Sequence, residues 1–181
     1  MFDLLIRNAF VVDGTGSPGF HSDLAMLDGK IAAMSPRITA EAARIIDASG
    51  LTLTPGFIDA HSHGDVLVEE YPECIAAVEQ GITTQVAGMC GESAAPLSEA
   101  HLEDGLRILH SLKNGKLPSP AENRYSFGKY LDQIDRPLGT NMAFLVGHGT
   151  IRAAVMGFSD RSPTKGELKK MVAYVHEAMQ G

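Results

Sequence analysis

Apolar and polar positions come in short blocks over the first third of the chain and in longer helical repeats after it. Residues 1 to about 54 read as short strands joined by glycine turns. "DLLIRNAFVVDG" is apolar with β-branched ends, and "DGTGSPG" is dense turn chemistry. In "DLAMLDGKIAAMSP" the tripeptide "DGK" separates two apolar runs, which predicts a hairpin. "ARIIDASGLTLTPG" predicts another strand pair, and His21 falls in a turn.

After Pro55 the rhythm changes. "GFIDAHSH" reads as a strand, and "YPECIAAVEQG" as a short helix with Pro72 at its start and Gly81 as its stop. "ITTQVAGM" is a strand rich in β-branched residues. "SEAHLEDGLRILHSLKNG" is amphipathic and helical, with Ser98 as N-cap. "KLPSPAENR" reads as a loop, "SFGKYLDQIDRP" as a helix, "TNMAFLVGHGT" as a buried strand ending in Gly-His-Gly, and "SPTKGELKKMVAYVHEAMQG" as a long helix. Strands alternating with helices predict an α/β fold of βα units around a parallel sheet. Such folds gather their active groups at the C-terminal ends of the strands.

Composition narrows the function. The 181 residues are 44% hydrophobic and 20% charged, with a net charge of −7 and a mean hydropathy near zero. That is globular composition with enough chain for a sizeable core. An acidic chain without a basic cluster argues against nucleic acid and against an anionic membrane surface. No apolar run approaches the ~20 residues of a membrane span. Asp3 and Arg7 interrupt the apolar N-terminus, so it does not read as a signal peptide. Two cysteines, Cys74 and Cys90, make no disulfide framework, which points to a reducing cytoplasm.

Two stretches carry chemistry. In a strand, side chains alternate faces, so His61 and His63 of "PGFIDAHSHGD" point the same way, roughly 6–7 Å apart. Two imidazoles there can converge on one metal ion or on two neighbouring ones, with Asp59 on the same face to orient them. The competing reading is a polar strand end with solvated histidines. Cys90, in "GITTQVAGMCGESAAP", lies just past the second strand. It can be a small buried hydrophobe, a thiolate ligand or a nucleophile paired with histidine. Its place on the same end of the sheet as the histidines favours the ligand. His101, His110 and His176 read as helix-face residues, Cys74 as core, and the "GELKK" charges as a solvated face. Arg152 comes after the third strand, where it can meet a carboxylate or pair internally.

"PGFIDAHSHGD" resembles the opening metal motif of the amidohydrolase superfamily. "GITTQVAGMCGESAAP" and "LVGHGTIRAAVMG" resemble segments that mark its N-acyl-D-amino-acid deacylase branch, and the three occur in order over nearly the whole chain. The resemblance implies that His61, His63 and Cys90 are metal ligands. Cys90 would hold one tight zinc ion, and the two histidines a neighbouring, weaker site. It makes His148 an active-site residue with a substrate contact. Met89 and Glu92 depart from the branch, which often has an asparagine and an apolar residue there.

The implied architecture is part of a small β-sandwich over residues 1–54, then over 55–181 the first βα units of a metal-dependent (β/α)8 TIM barrel. A barrel takes about 250 residues, roughly twice the length of chain beyond Pro55. The family's two later histidines, its catalytic aspartate and its binders of the substrate carboxylate find no match. The expectation is therefore the N-terminal part of a longer enzyme, with no catalytic residue inside this chain and the general-base aspartate beyond Gly181. The implied reaction is hydrolysis of the amide of an N-acyl-D-amino acid, a small-molecule substrate, by a zinc-activated water. The alternatives are a cyclic-amide hydrolase of the dihydroorotase type, which the cysteine argues against, and an inactive metal-binding fragment. Taken alone, three barrel strands would expose a sheet edge and apolar faces.

Overall fold

The structure is a computed structural model that describes residues 1–112 and 119–180, apart from the side chains of 110–112. The His110 side chain, Gly181, the end of the helix expected to run to 115 and the start of the loop expected at 116–124 therefore lie outside the described residues. Two compact units divide the chain, Met1–Pro55 and Gly56–Gly181.

The first unit is a five-stranded sheet of β1 (Phe2–Val11), β2 (Phe20–Leu27), β3 (Lys30–Ser35), β4 (Ala42–Asp47) and β5 (Thr52–Leu53). Its order is β3-β2-β1-β4, with β5 also on β1. The expected hairpin is β2–β3. Asp28 and Gly29 turn it with φ of 52° and 70°, the two positive values that suit a tight reversal between twisted strands. His21 lies within β2 opposite Phe10, not in a turn. The expected pair in residues 42–53 does form two strands, but they do not pair with each other. Both run parallel to β1, with Leu5 opposite Ile45 and Val11 opposite Leu53. The link at 48–51 is too short for a crossover between parallel strands, so it only shifts the chain along β1. The Asp47 carboxylate shapes that step by accepting from the Ser49 N–H and Oγ–H and from the Asn8 amide. Leu5, Ala9, Val11, Leu24, Ala25 and Ala48 are buried.

The second unit holds three parallel strands, β6 (Phe57–Ser62), β7 (Ile82–Ala87) and β8 (Asn141–Phe144), in sequential order. Among the described residues six α-helices accompany them: α1 (Gly64–Leu67), α2 (Ile75–Val78), α3 (Leu102–Leu112), α4 (Phe127–Ile134), α5 (His148–Met156) and α6 (Lys165–Ala178). Side-chain caps set several starts. Ser98 accepts from His101 N–H in the turn that leads into α3, Ser126 caps α4, and Thr164 forms a reciprocal capping box with Glu167 on α6. The core of this unit joins Val66, Val68, Leu97, Leu109, Phe127, Tyr130 and Ile134.

Three expectations need correction. The helix expected from Pro72 starts at Ile75, because Cys74 sits at its N-cap with φ of 48°; Cys74 is half-buried at the edge of the core. Strand β8 is not buried on both faces. Met142 and Phe144 pack against the core, while Asn141 and Ala143 are exposed. Leu145, Phe57 and Ile58 are exposed as well. Helix α5 was not expected, since its first turn contains glycine and its sides are apolar nearly all round.

Candidate metal site

A polar ladder fixes the end of β6. The buried Ser62 hydroxyl donates to Gln85 Oε1 at 2.8 Å, and Gln85 Nε2 donates to Thr140 Oγ1 at 2.9 Å, which links β6 and β7 to the residue just before β8. Ser62 also accepts the Gly64 N–H at 2.9 Å, starting the turn into α1. Ser62 occupies one face, so its neighbours His61 and His63 occupy the other. His61 ends up exposed on the strand, and His63 is half-buried at the N-cap of α1.

Cys90 arrives from β7 by a different device. Its φ is +57°, between Gly88 at +85° and Gly91 at +78°. A Cβ on Gly88 would lie 1.9 Å from the Leu145 carbonyl oxygen, and one on Gly147 would lie 2.5 Å from that of Gly91. Only glycine permits this approach between the Cys90 loop and the start of α5. Hydrogen bonds then fasten the two: Thr150 N–H to Gly91 O, Ser93 N–H to Thr150 Oγ1, and Gly147 N–H to Ser93 Oγ.

The three side chains meet. His61 Nε2 lies 3.1 Å from Cys90 Sγ, and the two imidazole centroids are 5.9 Å apart at 66°. One donor atom from each of His61, His63 and Cys90 falls within 4.8 Å of the others. Two imidazoles and an exposed thiol are a donor set for a borderline-soft divalent ion, and this one fits zinc. Asp59 accepts the His61 backbone N–H at 3.1 Å, so it holds the strand end rather than the ring. His148 is exposed at the first position of α5, between Gly147 and Gly149, which both pack on Gly91. Arg152 donates to the carbonyls of Ser159 and Arg161, each at 2.8 Å. With Cys90, Glu92 and Asp160 it lines a cavity of about 390 Å³.

Sequence reasoning missed a buried polar network behind these three side chains. Asp65 is 2% exposed; its Oδ2 accepts the Ala94 N–H at 2.7 Å, and the Tyr130 hydroxyl donates to its backbone carbonyl. Burial pushes the Asp65 carboxyl above its ordinary value, against the Ala94 N–H, the His63 ring and the Gly88 N–H, which favour the anion. Arg124 is completely buried. It pairs with Glu69, donates to Ala94 O at 3.0 Å and lies 4.7 Å from the Tyr130 ring centroid. The available signal was the aspartate two residues after His63; Arg124 gave none.

Residues 44–181 match a family model described as "Amidohydrolase family". An N-acyl-D-aspartate deacylase of Alcaligenes xylosoxydans xylosoxydans is 38% identical over 98% of this chain and 34% of its own length. A solved D-aminoacylase, described as having a binuclear metal centre, is 34% identical with a TM-score of 0.86, over 99% of this chain and 37% of that one. An N-acyl-D-glutamate deacylase from Bordetella bronchiseptica, solved with zinc and a phosphonate mimic of the tetrahedral intermediate, is 34% identical with a TM-score of 0.83, over 99% of this chain and 36% of that one. The chain thus spans about a third of the length of the relatives it matches. On the family match and on likeness over nearly its whole length to these deacylases, the chain belongs to the amidohydrolase family.

Proposed function

We propose that an enzyme containing this chain hydrolyses the amide bond of N-acyl-D-amino acids, releasing a carboxylate and a free D-amino acid. The observation that carries the reading is the convergence of His61, His63 and Cys90 to within 4.8 Å at the ends of two parallel strands. Zinc, when bound, supplies Lewis acidity that lowers the pKa of a water and polarises the scissile carbonyl. The thiolate of Cys90 would hold one ion, and His61 and His63 would serve a neighbouring, weaker site. A reducing cytoplasm keeps that thiol available.

The chain's own residues bind and shape. The glycine-lined loop keeps Cys90 rigid against α5. His148, exposed beside that loop, contacts the substrate. Arg152 fixes the wall of the cavity next to Cys90 and offers its remaining N–H groups to a substrate oxygen. An aspartate outside this chain takes a proton from the attacking water and passes it to the leaving amine. Sequential parallel order supports β6, β7 and β8 as the opening strands of a (β/α)8 barrel. The first unit is then part of a small β-sandwich.

The test is hydrolysis of N-acetyl-D-amino acids, their L forms and cyclic amides by the zinc-loaded full-length enzyme and by the 181-residue chain. The reading expects D-selective turnover of linear amides by the former and none by the latter. Turnover by the short chain would remove the outside aspartate, and a preference for cyclic amides would replace the reaction class.

A further inference from the structure

His63 and Asp65 each bury one polar atom without a hydrogen-bond partner: Nδ1 of the imidazole and Oδ1 of the carboxylate. The rest of Asp65 is committed. Oδ2 takes the Ala94 N–H, and its backbone carbonyl takes the Tyr130 hydroxyl. Arg124 in turn holds the Ala94 carbonyl at 3.0 Å. Asp65, Ala94, Tyr130 and Arg124 are all between 0% and 2% exposed. The carboxylate is thus held away from water, and its Oδ1 carries no hydrogen bond.

The imidazole presents the matching need. His63 is half-buried, its Nδ1 is buried without a partner, and one of its ring nitrogens lies within 4.8 Å of ligand atoms of His61 and Cys90. A neutral imidazole carries one N–H, and the bond made by that N–H decides which nitrogen keeps a free lone pair. Leaving a donor and an acceptor buried and unpaired is unfavourable for each. The structure does not bond the two orphans to each other, but they stand two residues apart at the start of α1 and the His63 ring acts on the Asp65 carboxyl, so a small turn of either side chain that paired them would satisfy both.

We infer that Asp65 is the positioning residue for His63: Oδ1 accepts the Nδ1 proton and so fixes Nε2 as the metal-ligating nitrogen. The inference rests on the metal-site reading above. Tyr130 and Arg124 extend the arrangement, because they hold Asp65 in place from α4 and from the turn before it. A carboxylate behind a ligating imidazole also raises the basicity of the ligand.

The experiment uses the full-length enzyme stripped of metal, with zinc titrated against a chromophoric chelator. Asp65→Asn has the same shape and keeps an oxygen for Ala94, but it turns an amide N–H toward His63 and so favours the opposite tautomer. The expected result is zinc binding weakened about 10- to 100-fold, with the melting temperature of the metal-free protein unchanged. In a His63→Ala background the same substitution should cause no further loss. Unchanged affinity, additive losses in the double variant, or a metal-free Asp65→Asn protein that no longer folds would each overturn the inference. A wild-type enzyme that binds no zinc overturns the metal site and the inference together. Wild-type binding with an unmoved Asp65→Asn overturns the inference alone.

Discussion

The buried pair of Arg124 and Glu69 gives the sharpest stability prediction. Their side chains are 0% and 7% exposed, and Glu69 also accepts from the Gln133 amide. Replacing Arg124 with methionine keeps much of the volume but leaves the Glu69 carboxylate buried with one neutral donor. Breaking a buried pair from one side costs about 3–5 kcal/mol, because the remaining charge is uncompensated. Loss of the cation–π contact with Tyr130 adds about 1 kcal/mol at such a site. The unpaired Arg124 Nε works the other way, since the native pair already carries an unsatisfied donor. Arg124→Met should therefore lower the free energy of urea unfolding by about 3–5 kcal/mol. The double variant Arg124→Met, Glu69→Met removes both charges and should return to within about 1 kcal/mol of the wild type or exceed it. The assay is urea denaturation of the full-length enzyme monitored by circular dichroism, with all variants at one pH and one zinc concentration. A loss below about 1 kcal/mol for the single variant would refute the reasoning, for it would mean that Glu69 reaches water in the assembled enzyme.

Other expectations come from the site and from α4. Cys90→Ser should lower bound zinc and deacylase activity together, measured by elemental analysis and amide hydrolysis; unchanged values for both would return Cys90 to a packing role. Gly88→Ala forces a Cβ against the Leu145 carbonyl at φ of +85°; strain there should cost at least about 2 kcal/mol in urea unfolding, and a neutral result would show that the Cys90 loop can part from Leu145. Glu177 caps α4. Burial raises its carboxyl, but the Ser126 hydroxyl and the N–H groups of Gly128 and Phe127 outweigh that and hold it below its ordinary 4.5. A depressed folded value means its contribution is complete above about pH 4.5 and fades as pH falls through the lower folded value. The stability difference between wild type and Glu177→Gln should accordingly be largest at neutral pH and shrink in acid; a difference independent of pH would contradict it.

What the sequence made legible, and what it hid, divides by the range of the interaction. Asp28-Gly29 and Ser98 act on backbone within three residues, and each marks an observed turn or helix start; Ser126 and Thr164 cap their helices by the same local rule, though the sequence reading did not name them. His61 and His63 were visible for the same reason, because period-two alternation is a local rule. Cys90 needed its family motif: what brings it to His61, 29 residues earlier, is the close packing of Gly88 and Gly147 on carbonyls from other segments. No local pattern encodes such an approach. Helix α5 was missed because the same packing, rather than an amphipathic stripe, defines its start. Arg124 is the extreme case. It sits in a polar, proline-rich stretch that reads as solvated loop, yet it is completely buried and its carboxylate partner is 55 residues away. A charge enters a core only when its partner is already there, and the sequence near the charge does not record that partner. The same logic applies to Asp65, whose place in "HSHGD" looks like the polar end of a strand. Its burial is due to Ala94 and Tyr130, supplied by two later segments, and so the groups behind the His61, His63 and Cys90 cluster are harder to read than the cluster itself.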